Sequence, residues 1–139
     1  MRFKIRFAKP SDFAKCKAFD SRITASQFSN KAAAKEIVLA SAEKTIVGYL
    51  RLEFIWLKIP YVSWIFVSEK CRNQGIASSL VKFLKSSLKR KQFKFILSSY
   101  QDNAPQSKRW HSNIGFKKCG KIQGINEDKS SEIFCQLKL

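Results

Sequence analysis

The chain has 139 residues and a formal charge of +17 at pH 7, with 27 Lys and Arg against 10 Asp and Glu. This length suits one domain, and 45% apolar residues suffice for a core without disulfides. The four cysteines are far apart and there is one His, which argues against a metal site and favours reduced thiols in a cytoplasmic protein. No apolar run reaches the roughly 20 residues of a membrane-spanning helix, so we expect no membrane partner.

The positive charge predicts attraction to polyanions, which include nucleic acid, a ribosome surface and phosphate-rich small molecules. Lys and Arg occur along the whole chain in short clusters rather than in one basic tail. Charge alone therefore does not distinguish these partners.

The N-terminal half begins with alternating basic and apolar residues over 2–7, which predicts a half-buried strand rather than a signal peptide. A helix carrying Phe13, Cys16 and Phe19 follows, and residues 30–36 favour a second helix by propensity. Three apolar runs then predict strands over 37–40, 45–56 and 61–67.

The C-terminal half contains the clearest helix, over 76–90, because its apolar residues recur with helical spacing. Residues 93–99 read as a buried strand, and Asn103 is a plausible N-cap for a helix over 104–114. Two strands, 119–123 and 133–139, flank a polar loop. Hairpins with one helical crossover predict a single α/β domain, residues 1–139, with a sheet of mixed direction.

The segment from Val67 to Ala77 joins an apolar strand to the start of that helix. A helix start offers unpaired main-chain N–H groups and the positive end of a dipole, so it binds phosphate. Gly75 and the small Ala77 let the backbone approach an anion, and Arg72 adds a charge. This turn is therefore a candidate phosphate site.

These residues resemble a known family. Residues 67–80 are similar to the acyl-coenzyme-A-binding motif of the GNAT superfamily of N-acetyltransferases, Arg/Gln-x-x-Gly-x-Gly/Ala, with Arg72, Gly75 and Ala77 at its defining positions. Residues 102–116, with Trp110-His111 and a closing Gly-Phe, resemble the second cofactor segment of the family. The resemblance implies an acyl-CoA N-acyltransferase-like fold, with a mixed, mostly antiparallel sheet of six to seven strands, a splayed central pair and about four helices.

The resemblance also implies where acetyl-coenzyme A (acetyl-CoA) binds. The pantetheine arm is expected along the strand that ends at Val67, whose N–H region would polarise the thioester carbonyl, and the pyrophosphate on the amides of residues 73–78. The implied cofactor-binding residues are Ile65, Phe66, Val67, Arg72, Asn73, Gln74, Gly75, Ile76, Ala77, Ser78, Asn103 and His111.

Family members usually transfer the acetyl group directly, so Cys71 is not a required nucleophile. His111 occupies the position where the family often has a Tyr as general acid. Its imidazole is either the proton donor for the leaving thiolate or a packing residue beside the sulfur. Tyr61 and Tyr100 are alternative donors.

For the general base we predict Glu53, the one acidic residue in the middle of a long apolar strand. The alternative is a solvated or Arg-paired strand residue. Because amine acceptors are usually cationic, the positive charge requires either an acceptor cleft that is locally acidic or an amine on an anionic particle such as a ribosome. The acidic candidates for such a cleft are Glu53, Glu127, Asp128 and Glu132.

The sequence thus predicts a transferase that uses acetyl-CoA to acetylate a primary amine of a small molecule or protein. One alternative is a basic binding protein of nucleic acid or the ribosome, and another is a non-catalytic coenzyme A binder, because the usual Tyr is missing. The acceptor loops, 20–35 and 124–131, carry no pattern that identifies the substrate. The sequence leaves the oligomeric state open, a dimer included.

Overall fold

The protein is described by a computed structural model that covers residues 1–139. Its strands are β1 (Lys4–Phe7), β2 (Ile37–Ala42), β3 (Thr45–Ile55), β4 (Ile59–Val67), β5 (Phe95–Gln101), β6 (Lys117–Ile122) and β7 (Glu132–Lys138). Its helices are α1 (Phe13–Cys16), α2 (Ala25–Ala33), α3 (Ile76–Arg90) and α4 (Pro105–Ile114), with short 3₁₀ turns at Pro10–Asp12 and Glu69–Cys71. No helix is both long enough and apolar enough to span a membrane.

All seven strands form one sheet in the order β1-β2-β3-β4-β5-β7-β6. Every neighbouring pair is antiparallel except β4 and β5, which are parallel and register at a single position, Tyr61 opposite Leu97. Beyond that position the two strands separate. The predicted mixed, mostly antiparallel sheet with a splayed central pair is confirmed.

The core lies on both faces of the sheet, because successive residues of β2 point to opposite sides. Val38 and Ala40 pack with α3 in one buried cluster, whereas Ile37 and Leu39 pack with α1 and α2 in another. Of the apolar stripe that the sequence predicted on α3, Ile76, Leu80, Leu84 and Leu88 are buried, and Phe83 packs partly buried against the same cluster.

Gly48 sets how closely α3 approaches the sheet. A Cβ placed on Gly48 would lie 2.8 Å from Ile76 Cγ2 and 3.3 Å from Leu80 Cδ1. Because atoms cannot approach that closely, only glycine lets the first turn of α3 rest directly on β3.

Two local predictions are wrong. The second helix is Ala25–Ala33 rather than 30–36, since Thr24 and Gln27 form a reciprocal capping box that starts it earlier. Asn103 is not the N-cap of α4; that position is Ala104, which makes no side-chain cap. The Asn103 amide instead donates to Asp128 at 2.9 Å, because a neighbouring loop offers it a charged acceptor.

Candidate active site

The junction between β4 and α3 presents a row of main-chain amides. Asn73 and Gly75 have left-handed backbones, with φ of 62° and 79°. No side chain caps α3, and its first main-chain hydrogen bond runs from Ser79 N to the Gly75 carbonyl at 3.0 Å. The amides before Ser79 are therefore available to an anion, at the positive end of the helix dipole.

These amides open on a groove of about 400 Å³. One wall is the end of β4, one is the start of α3 and one is α4, which contributes Gln106, Ser107 and Trp110. A Cβ added at Gly75 would meet no atom within 4 Å, so this backbone faces open space. The groove therefore fits a diphosphate with an extended arm.

Arg72 is held beside the groove by two contacts. Its Nε donates to the Val67 carbonyl at 3.2 Å, and its guanidinium lies 5.4 Å from the centre of the Phe66 ring. Both contacts leave a positive charge at the mouth of the groove, where phosphate oxygens would be stabilised.

A second, larger cleft of about 1000 Å³ lies where β4 and β5 separate. It is bordered by the α1–α2 connection, by β5 with α4, and by the β6–β7 loop. Ile65 and Ser107 line both the groove and the cleft. The two cavities therefore meet at the gap in the sheet.

A β-bulge shapes the cleft wall. Arg51 pairs with Trp64 but Leu52 pairs with Val62, so Ser63 is an extra residue in β4. A regular strand shows only alternate side chains to one face, whereas the four consecutive residues 62–65 line this cleft. The bulge therefore places two consecutive residues, Ser63 and Trp64, beside Arg51 at the cleft.

Asp20 anchors the α1–α2 connection at one side of the cleft. It is 3% exposed and accepts hydrogen bonds from Tyr49 Oη at 2.7 Å and Arg51 Nη1 at 2.6 Å. Burial raises the pKa of the Tyr49 hydroxyl, which stays protonated and donates to the carboxylate. Arg51 Nε also donates to Ser63 Oγ at 3.1 Å, which ties this network to the bulge.

Glu132 is a second carboxylate in the cleft, at the start of β7. Its Oε2 accepts from Ser99 Oγ at 2.6 Å, and its Oε1 accepts from Asn126 Nδ2 at 3.1 Å. Ser99 in turn accepts from the Tyr61 hydroxyl, 2.7 Å away, because its own proton is donated to Glu132. These contacts fix the orientation of a carboxylate that borders the cavity.

The cleft is acidic although the protein is strongly basic. Four carboxylates line it against two guanidinium groups and no lysine, and Arg22 and Arg51 are each ion-paired with a lining carboxylate, Glu127 and Asp20. Hydrogen bonds from Ser130 and Asn103 lower the pKa of Asp128 to about 2, so it stays ionised. An acidic cleft attracts cations.

His111 lines the cleft, is next in sequence to Trp110 of the groove wall, and is 3% exposed. Its Nδ1 donates to the Ser107 carbonyl at 2.7 Å, so Nε2 accepts from the Ser98 hydroxyl at 2.8 Å. Burial lowers the pKa of the imidazole, which therefore stays neutral near pH 7. Both ring nitrogens are satisfied, and the hydrogen bond with Ser98 joins α4 to β5.

Tyr100 lines the same cleft, with its ring 5.2 Å from the His111 ring. Burial raises the pKa of its hydroxyl, so the group carries a proton at neutral pH. The other tyrosine candidate, Tyr61, donates to Ser99 and lies outside the residues that line the cleft.

A model of the acetyltransferase (GNAT) family matches residues 6–116. The chain belongs to the GNAT acetyltransferase family. The match spans both cavities except for the β6–β7 loop and Glu132, which lie beyond residue 116. A sequence search of curated proteins gave no match.

Solved structures share this GNAT fold at low sequence identity. Ard1 from Thermoplasma volcanium has a TM-score of 0.87 at 13% identity, over 100% of this chain and 99% of that chain. The ribosomal-protein-S18-alanine N-acetyltransferase of Escherichia coli has 0.82 at 12%, over 99% and 94%. A putative streptothricin acetyltransferase from Bacillus anthracis, in complex with acetyl coenzyme A, has 0.68 at 22%, over 74% and 61%.

Nine of the twelve residues predicted for the cofactor line the groove of this GNAT protein. The exceptions are Gln74, which lies in the same turn, His111, which lines the cleft, and Asn103, whose amide is bound to Asp128. Trp110 lines the groove, and Cys71 is a buried member of its wall.

Glu53, the predicted general base, does not line the cleft. It is exposed on β3 opposite Tyr61, whereas Arg51, two residues earlier, lines the cavity. Of the four acidic candidates, Glu127, Asp128 and Glu132 are cleft residues. Sequence reasoning missed Asp20, Ser98 and Ser99, whose small or lone polar side chains carry no motif.

Proposed function

We propose that residues 1–139 form one N-acetyltransferase domain that transfers an acetyl group from acetyl-CoA to a cationic primary amine. One observation carries the proposal: a groove of uncapped amides at the start of α3 meets an acidic cleft where β4 and β5 separate. One cavity suits an anionic nucleotide tail, and the other suits an amine.

The groove residues support binding of acetyl-CoA. The amides of residues 73–78 and Arg72 would hold the diphosphate, and the main chain of Ile65, Phe66 and Val67 would accompany the pantetheine arm. When bound, acetyl-CoA supplies an activated acetyl thioester. An N–H group near Val67 would stabilise the negative charge that develops on the carbonyl oxygen during attack.

Among the carboxylates of the cleft, Glu132 is our candidate for the general base. A cationic amine must first lose one proton to become nucleophilic. Its attack then forms the C–N bond and breaks the C–S bond, the nitrogen loses a second proton, and the thiolate takes up one, so that one proton is released overall. Glu132 is fixed by Ser99 and Asn126 and borders the cavity, so it can take the amine proton, directly or through water. Glu53, which the sequence favoured, faces solvent.

Tyr100 is the better proton donor for the thiolate. Its hydroxyl is protonated near neutral pH because burial raises its pKa. His111 is neutral, its Nδ1 proton is donated to Ser107, and its Nε2 accepts from Ser98. We assign His111 a positioning role between α4 and β5.

The acceptor is proposed to be a cation, either a small polyamine-like molecule or a basic segment of a protein. The cleft carboxylates would concentrate such a group against the long-range repulsion of the +17 chain. The E. coli structural neighbour is named for acetylating a ribosomal-protein alanine, which makes a protein N-terminus a second acceptor to test. The four free cysteines fit a reducing compartment, the cytoplasm.

Calorimetric titration with acetyl-CoA tests the proposal, with Gly75→Asn and Gly124→Asn as a matched pair. Both glycines have positive φ, which Asn tolerates better than other side chains. Only Gly75 places the added atoms in the groove. We expect saturable binding that Gly75→Asn weakens about tenfold or more, the size of one or two hydrogen bonds to a charged group, and that Gly124→Asn leaves unchanged.

Turnover is then measured as the release of the coenzyme A thiol. The acceptors compared are a dicationic amine, a neutral amine and a peptide N-terminus. Faster release with the dication supports the acidic cleft as acceptor site. Binding without release with any amine would indicate a non-catalytic coenzyme A binder. Absence of acetyl-CoA binding would overturn the proposal, and a steep salt dependence of RNA affinity would then favour the basic binding protein.

A further inference from the structure

The turn between β3 and β4 carries the two most exposed large apolar side chains of the protein. Trp56 is 78% exposed and Leu57 is 95% exposed. They are adjacent at the apex of the hairpin, beyond the last pair of the ladder, Ile55 with Ile59. Neither is needed for the core that covers the sheet.

The backbone of this turn is also costly for these residue types. Trp56 and Leu57 have φ of 55° and 60°, and the turn closes with a hydrogen bond from Lys58 N to the Ile55 carbonyl at 3.1 Å. Positive φ at both central residues is the conformation for which hairpins favour Asn-Gly. Trp and Leu therefore cost stability here and gain no burial, so folding does not account for them.

Basic residues lie at the same end of the sheet as the apex. The strand register brings the start of β5 and the end of β7 to the same end of the sheet as the start of β4, and Phe93, after α3, packs on Phe54 of β3. The exposed cationic side chains at this end are Lys58, Lys89, Arg90, Lys91, Lys94 and Lys138. The negative groups at this end are exposed Glu53, the half-buried Glu36, which is paired with Lys31 at 3.1 Å, and the terminal carboxylate of Leu139.

The exposed Trp56 and Leu57, together with the basic residues at this end, distinguish between possible binding partners. A second copy of the chain would bring the same positive charges together, which opposes self-association through the apex. RNA would use the Trp56 ring for stacking, but it gives Leu57 no role. The interface of an anionic lipid bilayer uses an aromatic ring, an aliphatic side chain and a lysine rim at once.

We propose that the β3–β4 apex inserts into the headgroup region of an anionic membrane, with the surrounding lysines on the lipid phosphates. β4 runs from the apex at Ile59 to the acetyl-CoA groove at Val67. A membrane at the apex therefore leaves the groove at the far end of the strand open. The contact does not depend on acetyl transfer.

The test is co-sedimentation of the full chain with vesicles of phosphatidylglycerol and phosphatidylcholine, compared with phosphatidylcholine alone. The variant is Trp56→Asn with Leu57→Gly, which removes the apolar apex and installs the residues that the turn prefers. We expect its melting temperature to equal or exceed that of the parent protein. We expect its affinity for the anionic vesicles to fall about tenfold or more, because two large apolar side chains no longer enter the interface.

Ile122→Ser is the matched control, since it removes an exposed apolar side chain beside Lys121 on the edge strand β6. It should sediment like the parent protein. The proposal is overturned if the parent protein does not bind anionic vesicles, if the apex variant binds them as well as the parent, or if Ile122→Ser loses as much affinity. It is also overturned if apex-dependent binding is stronger for single-stranded RNA than for vesicles.

Discussion

The groove and the cleft differ in what builds them. The groove is mainly backbone: the amides before Ser79, the end of β4 and the left-handed Gly75 come from one continuous stretch, 65–78. The cleft is mainly side chains, which come from segments as distant as 20–22, 51, 98–111 and 125–132. One cavity is electropositive and the other is acidic.

The difference corresponds to two tasks. Binding acetyl-CoA is common to all reactions that use it, whereas binding the acceptor is particular to each. A diphosphate is the same in every reaction with acetyl-CoA, and main-chain amides bind it without a particular side chain. The acceptor varies, and the cleft that we propose for it is lined by side chains of strands, of α4 and of two loops, 20–22 and 125–128, of which the loops are the freest to differ. We therefore expect substitutions in the cleft to change turnover, and backbone changes beside the groove to change cofactor affinity.

The largest effect is expected from Glu132→Gln. The amide keeps the size of the carboxylate and one oxygen that can still accept from Ser99 or Asn126, but it cannot accept the amine proton. We expect kcat to fall about 100-fold, within the usual range for a general base, with acetyl-CoA affinity unchanged. Stopped-flow or steady-state thiol release measures the first quantity, and calorimetry measures the second.

Glu53→Gln is the control for this prediction, because Glu53 is exposed and lies outside the cleft. Its rate should stay within about twofold of the parent rate, as for most surface substitutions. If Glu53→Gln were slower than Glu132→Gln, Glu53 on β3 would be the general base, and the role assigned to the acidic cleft would be wrong.

The groove was predictable from the sequence because its signals are local. Arg72, Gly75 and Ala77 stand at fixed spacing between an apolar strand and an amphipathic helix, and that placement alone determines where the amides point. Nine of the predicted residues line the groove for this reason. Asn103 was misplaced because its partner, Asp128, is 25 residues away in a loop that no local pattern positions.

The cleft was only partly predictable. Glu127, Asp128 and Glu132 were recognised as acidic candidates, but the strand pattern favoured Glu53 because strand periodicity does not tell which end of a long strand borders a cavity. The extra residue Ser63 has no signature in the sequence, although it decides which β4 side chains face the cleft. Asp20 is an ordinary polar residue until Tyr49 and Arg51 are folded against it.

A smaller effect is expected from Gly48→Ala, which tests whether the groove depends on backbone placement. The added Cβ would lie 2.8 Å from Ile76 Cγ2 and 3.2 Å from Ala40 Cβ, so the first turn of α3 must move. We expect a loss of about 1–3 kcal/mol in the free energy of unfolding. Acetyl-CoA affinity should fall about tenfold, as for one weakened hydrogen bond to a charged group.

Gly120→Ala provides the comparison, because a Cβ at Gly120 on β6 would meet no atom within 4 Å. Denaturant unfolding and calorimetry should find it at least as stable as the parent protein, with the same acetyl-CoA affinity. If Gly48→Ala were destabilised but bound acetyl-CoA normally, the amides before Ser79 would not be the diphosphate site.

The smallest effect concerns His111, which bonds to Ser98 in the cleft and to Ser107, a residue that lines both cavities. Burial lowers the pKa of this imidazole from its ordinary value of 6.5, so below that pH the unfolded chain takes up a proton that the folded chain does not. The stability that neutral His111 provides is therefore fully present above pH 6.5 and is lost as the pH falls through 6.5 toward the lowered pKa.

His111→Phe should be less stable at every pH, since the buried Ser98 hydroxyl loses its partner, but its stability should change less between about pH 7.5 and about pH 5.5. Because the chain has no other histidine, urea unfolding of both proteins across this range isolates the contribution. Parallel pH profiles would mean that the folded and unfolded chains titrate His111 alike, which would contradict the lowered pKa. A parent protein that gains stability relative to His111→Phe as the pH falls would mean that the imidazole is charged in the folded state, and His111 would then return as the donor of the proton to the thiolate.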